Sequence, residues 1–230
     1  MGGGWVGTAI ELRGVDAGYG GKRALTGVSA ELPRGRATAL LGHNGSGKST
    51  LLGVLAGLHA PWAGTVHCDG ERRPALVLQH TAASVALPLS VRDAVMVGRW
   101  ERRGWWRRTT ARDRAVVRDC LERVGAADLA RRRFADLSGG QRQRVLIAQG
   151  LAQESDVLLL DEPGAGLDAA ARERVLDLID EITAAGTTVV HATHDGDAAR
   201  RADHCLLLRD GRVRAEGRPE EVLAAPSSGK

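Results

Sequence analysis

Ala37-Thr38-Ala39-Leu40-Leu41-Gly42-His43-Asn44-Gly45-Ser46-Gly47-Lys48-Ser49 is the stretch on which the fold turns. An apolar run suited to a buried strand meets a glycine-rich turn, and Ser49 to Gly57 continues with helical spacing. The turn follows the pattern G-x-x-x-x-G-K-[ST], in which glycines leave backbone N–H groups free to close around phosphate oxygens. Lys48 is placed to reach the outer phosphates and the Ser49 hydroxyl to hold Mg²⁺, while the helix start adds a dipole end that favours anions. Strand, turn and helix in this order predict an α/β chain built around a phosphate-binding loop.

Further along, Val157-Leu158-Leu159-Leu160 reads as a second buried strand that delivers Asp161 and Glu162 at its C-terminal end, the edge where α/β sheets bind ligands. Asp161 is placed to position Mg²⁺, and Glu162, one residue on, to orient and deprotonate an attacking water. Between the two motifs lies Leu137-Ser138-Gly139-Gly140-Gln141, a serine N-cap with bare glycines at the start of a helix expected over Gln141 to Gln153.

The order of phosphate loop, Gln79, Leu137–Gln141, Asp161-Glu162, Gly166-Leu167-Asp168 and His194 resembles the ATP-binding cassette (ABC) ATPases over about residues 8 to 218. That resemblance implies an ABC-type P-loop NTPase fold: a mostly parallel core sheet, an antiparallel β subdomain and an inserted α-helical subdomain at about 82–155. The whole of 1–230 then forms one ATPase domain with disordered tails at 1–7 and 226–230. It implies ATP and Mg²⁺ as cofactors and ATP hydrolysis as the activity. Gly42, Asn44, Gly45, Ser46, Gly47, Lys48, Ser49 and Thr50 would contact the nucleotide, with Tyr19 stacking on adenine. Ser49, Gln79 and Asp161 would face the metal, and Glu162, His194, Gln79 and Lys48 would carry catalysis. Ser138, Gly139, Gly140 and Gln141 would face the γ-phosphate of ATP bound to a second subunit, and Asp168 would lie between the two copies. One departure is Gly164 after Pro163, where many relatives carry Thr, Ser or Phe; a looser backbone is expected there.

The implied partners are a second ATPase subunit forming a homodimer, integral membrane permease subunits, and an extracytoplasmic solute-binding protein. The implied place is the cytoplasm, peripheral on the inner face of the plasma membrane. Composition agrees: 32 Lys+Arg against 28 Asp+Glu leave a net charge of +4, too slight to argue for nucleic acid as a partner. Cys68, Cys120 and Cys205 are scattered and lack a C-x-x-C, so neither a disulfide frame nor a zinc site is suggested. No stretch approaches the roughly 18 apolar residues of a membrane span, so the membrane part is expected on another polypeptide.

Ala9 to Gly35 reads as short antiparallel strands with turns at Gly18–Gly21 and Pro33–Gly35. Thr65 to Cys68 with Asp69-Gly70 predicts a hairpin returning as Ala75 to Gln79. Helices are predicted over Ser90–Gly98, Ala111–Val124, Ala127–Arg132 and Ala169–Ala184, a strand over Thr187–Ala192, and a hairpin over 203–217 turning at Asp210-Gly211. His191 reads as a packed or exposed strand histidine. Pro88 to Gly98 is similar to the importer branch for manganese, zinc or iron, which implies a divalent metal ion as solute. Chelated iron (siderophore or haem), an exporter, and a cassette acting on ribosomes or DNA stay open beside it. Trp100 to Arg108 carries three tryptophans among arginines. Two readings remain for it: rings packed on the helical lobe, or contact with lipid headgroups and the membrane partner.

Overall fold

The structure is a computed structural model that describes residues 7–78, 89–100 and 108–224. It contains two sheets. Strands β1 (Thr8–Tyr19), β2 (Lys22–Pro33) and β4 (Ala63–Cys68) form an antiparallel sheet in the order β2-β1-β4. Strands β3 (Ala37–Leu41), β5 (Ala75–Val77), β6 (Val157–Asp161), β7 (Thr188–Thr193), β8 (His204–Arg209) and β9 (Arg212–Gly217) form the second, ordered β5-β6-β7-β3-β8-β9. The pairings among its first five strands are parallel, and β9 closes it as an antiparallel hairpin with β8. The expected α/β class, with a mostly parallel sheet beside an antiparallel β region, is therefore present.

Alternation along the central strands explains why this sheet sits inside the molecule. In β6, Leu158 and Leu160 belong to one buried cluster while Val157 and Leu159 belong to another. Successive side chains of a strand point to opposite faces, so all four apolar residues are used. One face packs against α1 (Lys48–Leu55) and the antiparallel sheet. The other packs against helices from α2 (Val91–Val97), α3 (Ala111–Arg123), α4 (Gly139–Leu151) and α5 (Ala169–Ala184). α3 begins with a capping box in which Thr110 and Asp113 each bond the other's backbone N–H, and Ser90 caps α2. Short helices α6 (Gly196–Arg201) and α7 (Pro219–Ala224) complete the chain and had no clear periodic signal.

Three expectations fail for identifiable reasons. β1 and β2 are not short: each runs for 12 residues and bends at repeated bulges, with Gly14 at φ 59° and Gly27 at φ 58° accommodating the irregular register. The hairpin at Asp69-Gly70 does not form, because β4 pairs with β1 whereas β5 crosses to pair with β6. The crossing is tied to the approach to β6, where Ser155 Oγ donates to the Arg73 carbonyl at 2.8 Å. The predicted helix Ala127–Arg132 is a single 3₁₀ turn, Ala127–Leu129. The carbonyls of Ala130 and Arg132 instead accept the free N–H groups of Arg92 and Val91 at the start of α2.

His191 in β7 is 2% exposed, and burial pushes its pKa down from 6.5 to about 4. The unfolded chain therefore takes up a proton near pH 6.5 that the folded chain refuses until about pH 4, so stability should fall as pH drops through that window. His191→Leu is expected to flatten the slope by one proton, about 1.4 kcal/mol per pH unit. Urea denaturation at several pH values between those limits checks this, and an unchanged slope would mean that His191 is not the proton acceptor.

Candidate functional site

The register of the parallel strands sets the site. Leu41 at the end of β3 pairs with Thr193 at the end of β7, and Asp161 at the end of β6 pairs with Ala192. The residues that follow these ends, Gly42, His194 and Glu162, consequently emerge side by side at one edge of the sheet.

After Leu41 the loop Gly42–Gly47 curls into the first turn of α1. Gly47 takes φ 107°, and a Cβ there would lie 2.8 Å from Leu25 Cδ2 and 2.9 Å from the Ala24 carbonyl, so only glycine lets the loop lie against β2. The Ser46 carbonyl accepts from Gly211 N at 3.0 Å and the Gly211 carbonyl from Thr26 N at 2.8 Å, so the β8–β9 turn props the loop from behind. Ser46 Oγ is buried without a hydrogen-bond partner. Lys48, 5% exposed, curls its ammonium back onto the carbonyls of Gly42 and His43 at 2.8 and 3.3 Å. A buried cation, an unsatisfied hydroxyl and a backbone loop at a helix N-terminus fit a phosphate chain. Gly42, Asn44, Gly45, Ser49 and Thr50 lie in this loop and the helix start, as the motif places them.

Lys48 Nζ is 3.5 Å from Glu162 Oε1, and His194 Nδ1 is 3.3 Å from Glu162 Oε2. Glu162 adopts φ 47°, a left-handed conformation that costs a non-glycine residue on the order of 1–3 kcal/mol. Its N–H is held by the Ala192 carbonyl at 3.1 Å, extending the β6–β7 ladder by one residue and turning the side chain toward the phosphate loop. Asp161 is 8% exposed and bonds the Ser49 hydroxyl. Burial raises its pKa above 3.8, with Glu162 adding to the rise and the Ser49 bond and Lys48 opposing it. One carboxylate and one hydroxyl fit Mg²⁺ arriving with phosphates, since that ion keeps waters and phosphate oxygens as its other ligands. Among the described residues no cluster of three His, Cys, Asp or Glu forms a self-sufficient metal site.

The remaining predicted residues gather elsewhere. Ser138 caps α4, its Oγ accepting from Gln141 N at 3.3 Å while Gln141 Oε1 accepts from Ser138 N at 3.1 Å. Gly140 abuts α5, where a Cβ would lie 2.8 Å from Ala171 Cβ. Asp168 caps α5, its Oδ1 accepting from Ala171 N at 2.7 Å. Ser138, Gly139, Gly140, Gln141 and Asp168 line a common cavity of about 230 Å³, with no residue of the phosphate loop in its wall. A second cavity of about 390 Å³ opens behind Glu162 and His194 and reaches Gly164, Arg172 and His191. Gly164 faces the Arg172 stem, 3.1 Å from where a Cβ would stand.

Tyr19 ends β1, is 48% exposed, and meets the His59 ring edge to face with centroids 4.5 Å apart. Sequence reasoning missed His59, because nothing in its own neighbourhood marks it. The one available signal was Gly53 inside α1, whose missing side chain makes room for that ring. Gln79 and most of Trp100–Arg108 lie outside the described residues. Trp100 itself is 44% exposed, and Arg99 is buried against Asp113, the Ala152 carbonyl and Glu154 at 3.2, 2.5 and 2.8 Å.

Residues 25–165 match the family described as ABC transporter. The hemin import ATP-binding protein HmuV of Streptomyces coelicolor is 41% identical, over 92% of this chain and 78% of its own length. The manganese transport system ATP-binding protein MntA of Synechocystis is 37% identical, over 93% of this chain and 86% of its own. Among solved structures, a metal-chelate type ABC transporter in an inward-facing conformation superposes with a TM-score of 0.86 at 31% identity, over 94% of this chain and 86% of that one.

In the absence of nucleotide, Asp161→Asn is expected to raise the melting temperature at pH 7. The raised folded pKa means that ionised Asp161 opposes folding above about 3.8, and that cost vanishes once both states are protonated. Differential scanning calorimetry should show the gain shrinking as the pH is lowered toward that value from above; a loss of stability at pH 7 would contradict it.

Proposed function

Because the chain belongs to the ABC transporter family, as an ATP-binding subunit whose ATP hydrolysis is coupled to transport through membrane permease subunits, we propose that it powers import of a metal-bearing solute. The observation that carries the catalytic part is Glu162 between Lys48 and His194 at the mouth of the phosphate loop, one carboxylate oxygen 3.5 Å from Lys48 Nζ and the other 3.3 Å from His194 Nδ1. Lys48 and the loop amides neutralise the phosphate chain. Glu162 takes the proton of a water whose oxygen attacks the γ-phosphorus as the bond to the leaving ADP oxygen breaks, and His194 holds that carboxylate and the γ-phosphate in line. Ser49 and Asp161, with Gln79, would hold Mg²⁺, which would supply positive charge against the phosphates. Tyr19 stacks on the base.

Gly140 is packed toward α5, and it and Ser138 share a cavity with Asp168, apart from their own chain's phosphate loop. That separation supports a composite site. Two copies pair head to tail, each presenting its Ser138-bearing helix end to the nucleotide of the other, with Asp168 at the seam. ATP closes the pair, closure draws the helical lobes together and moves the permease by contact near Gln79, and hydrolysis reopens it. The proposed assembly is a homodimer on the inner face of the plasma membrane with an extracytoplasmic binding protein. Among the described residues no helix is long and apolar enough to cross a membrane, which agrees with a separate permease.

For the solute, a divalent ion, zinc or manganese, is supported by the manganese relative and by the Pro88 to Gly98 pattern. Chelated iron or haem is the second reading, supported by the hemin relative and the metal-chelate type structure. Reconstitution with the native permease and binding protein in vesicles decides between them: stimulation of ATPase by Mn²⁺ or Zn²⁺ alone supports the first, by ferric chelates or haem the second.

Glu162→Gln is expected to cut turnover by at least about 100-fold while ATP still binds and dimers accumulate on gel filtration. Monomers with normal turnover would remove Glu162 from the role of base. Lys48→Ala is expected to abolish measurable ATP binding by calorimetry, and unchanged affinity would contradict the cradle.

A further inference from the structure

α1 carries Lys48 and Ser49 at its start, and its other end approaches Tyr19. After Leu55 the chain doubles back, with the N–H groups of Leu58 and His59 both donating to the Gly53 carbonyl at 2.9 and 3.3 Å. This return lays the His59 ring on the helix at Gly53, where a Cβ would stand 2.6 Å from His59 Cδ2 and 3.6 Å from the Tyr19 hydroxyl. The Tyr19 and His59 rings cross at 84° with centroids 4.5 Å apart. On the preceding residue, Trp62 Cη2 comes within 2.8 Å of where a Gly18 Cβ would lie, and Trp62 N donates to the Asp16 carbonyl at 2.7 Å. Tyr19 thus stands on a hairpin tip seated from one side by Trp62, its ring crossed nearly at right angles by that of His59, with 48% of its surface open to solvent.

We propose that His59 is a positioning residue for base recognition: it fixes the Tyr19 ring against α1 so that the stacking face is set before nucleotide arrives. The proposal rests on the reading of Tyr19 as the base-stacking residue. An exposed tyrosine free to turn about its side-chain bonds loses that freedom on binding, whereas a ring already held does not. The same helix then fixes both ends of the ligand, its N-terminal turn the phosphates and its C-terminal turn the ring that meets the base.

The test compares ATP with inorganic tripolyphosphate, which has the charge and no base, by calorimetry on the full chain. His59→Ala should weaken ATP binding about five-fold, a fraction of what stacking on an aromatic contributes, and leave tripolyphosphate unchanged. The loss should fall on KM for ATP and not on kcat, and His59→Phe, which restores an aromatic ring, should recover most of it. Gly53→Ala favours the helix yet displaces the His59 ring, and should reproduce the selective loss. In a Tyr19→Ala background, His59→Ala should have no additional effect. Since Tyr19 is the chain's single tyrosine, ring-labelled tyrosine gives one set of NMR signals, which should move in His59→Ala and return in His59→Phe. ATP affinity within two-fold of wild type, or equal losses for ATP and tripolyphosphate, would overturn the positioning role. Failure of the unaltered chain to bind either compound would overturn the nucleotide reading instead.

Discussion

The alignment of three parallel strand ends is the constraint from which the site follows. β6, β7 and β3 are neighbours, and their hydrogen-bond register leaves Glu162, His194 and the phosphate loop on adjacent tracks of one sheet edge. A slip of one residue in any strand would turn its side chains to the opposite face. In β6 such a slip is resisted because it would draw Asp156 or Asp161, the charged residues that flank Val157 to Leu160, toward positions that apolar side chains fill on both faces. Packing far from the chemistry therefore fixes the spacing between cation, carboxylate and imidazole.

That edge is also where the fold is locally least favourable. Glu162 sits in a left-handed conformation, Asp161 is a carboxyl raised in pKa by burial, and Ser46 has a buried hydroxyl without a partner. Under the proposed function each of these costs would be relieved by a ligand: a metal opposite Asp161, phosphate oxygens for Ser46 and Lys48, and a water opposite Glu162. Stability is lowered where binding later returns it, a familiar relation between activity and rigidity.

Much of this was legible because local and global signals agreed. The boundaries of β3 and α5 and the turn at Asp210-Gly211 follow directly from apolar runs, helical spacing and turn residues. The phosphate loop and the acidic strand end could be read because their chemistry constrains a few consecutive residues. What failed depended on partners distant in sequence. Nothing near Asp69 tells β4 to pair with β1 and β5 with β6, since the approach to β5 is tied to a residue far along the chain, Ser155, which donates to the Arg73 carbonyl. Ala127 to Arg132 has helical composition, but two of its carbonyls are claimed by the start of α2. The bulges of β1 were hidden because a glycine such as Gly14 reads as a break, whereas here it bends a strand that continues. His59 was invisible for the same reason, its meaning being set by Tyr19 and Gly53.

The central place of β3 has a consequence for biosynthesis. Its two neighbours, β7 and β8, are both made more than a hundred residues after it, so the strand that leads into the phosphate loop is translated long before either edge can be paired. Until the ribosome has released His204 to Arg209, an apolar segment of five residues must wait with at least one strand edge unpaired, the kind of surface that invites chaperones or aggregation. Nascent chains halted before β8 would carry every signature motif and yet lack the shelf on which the loop is seated.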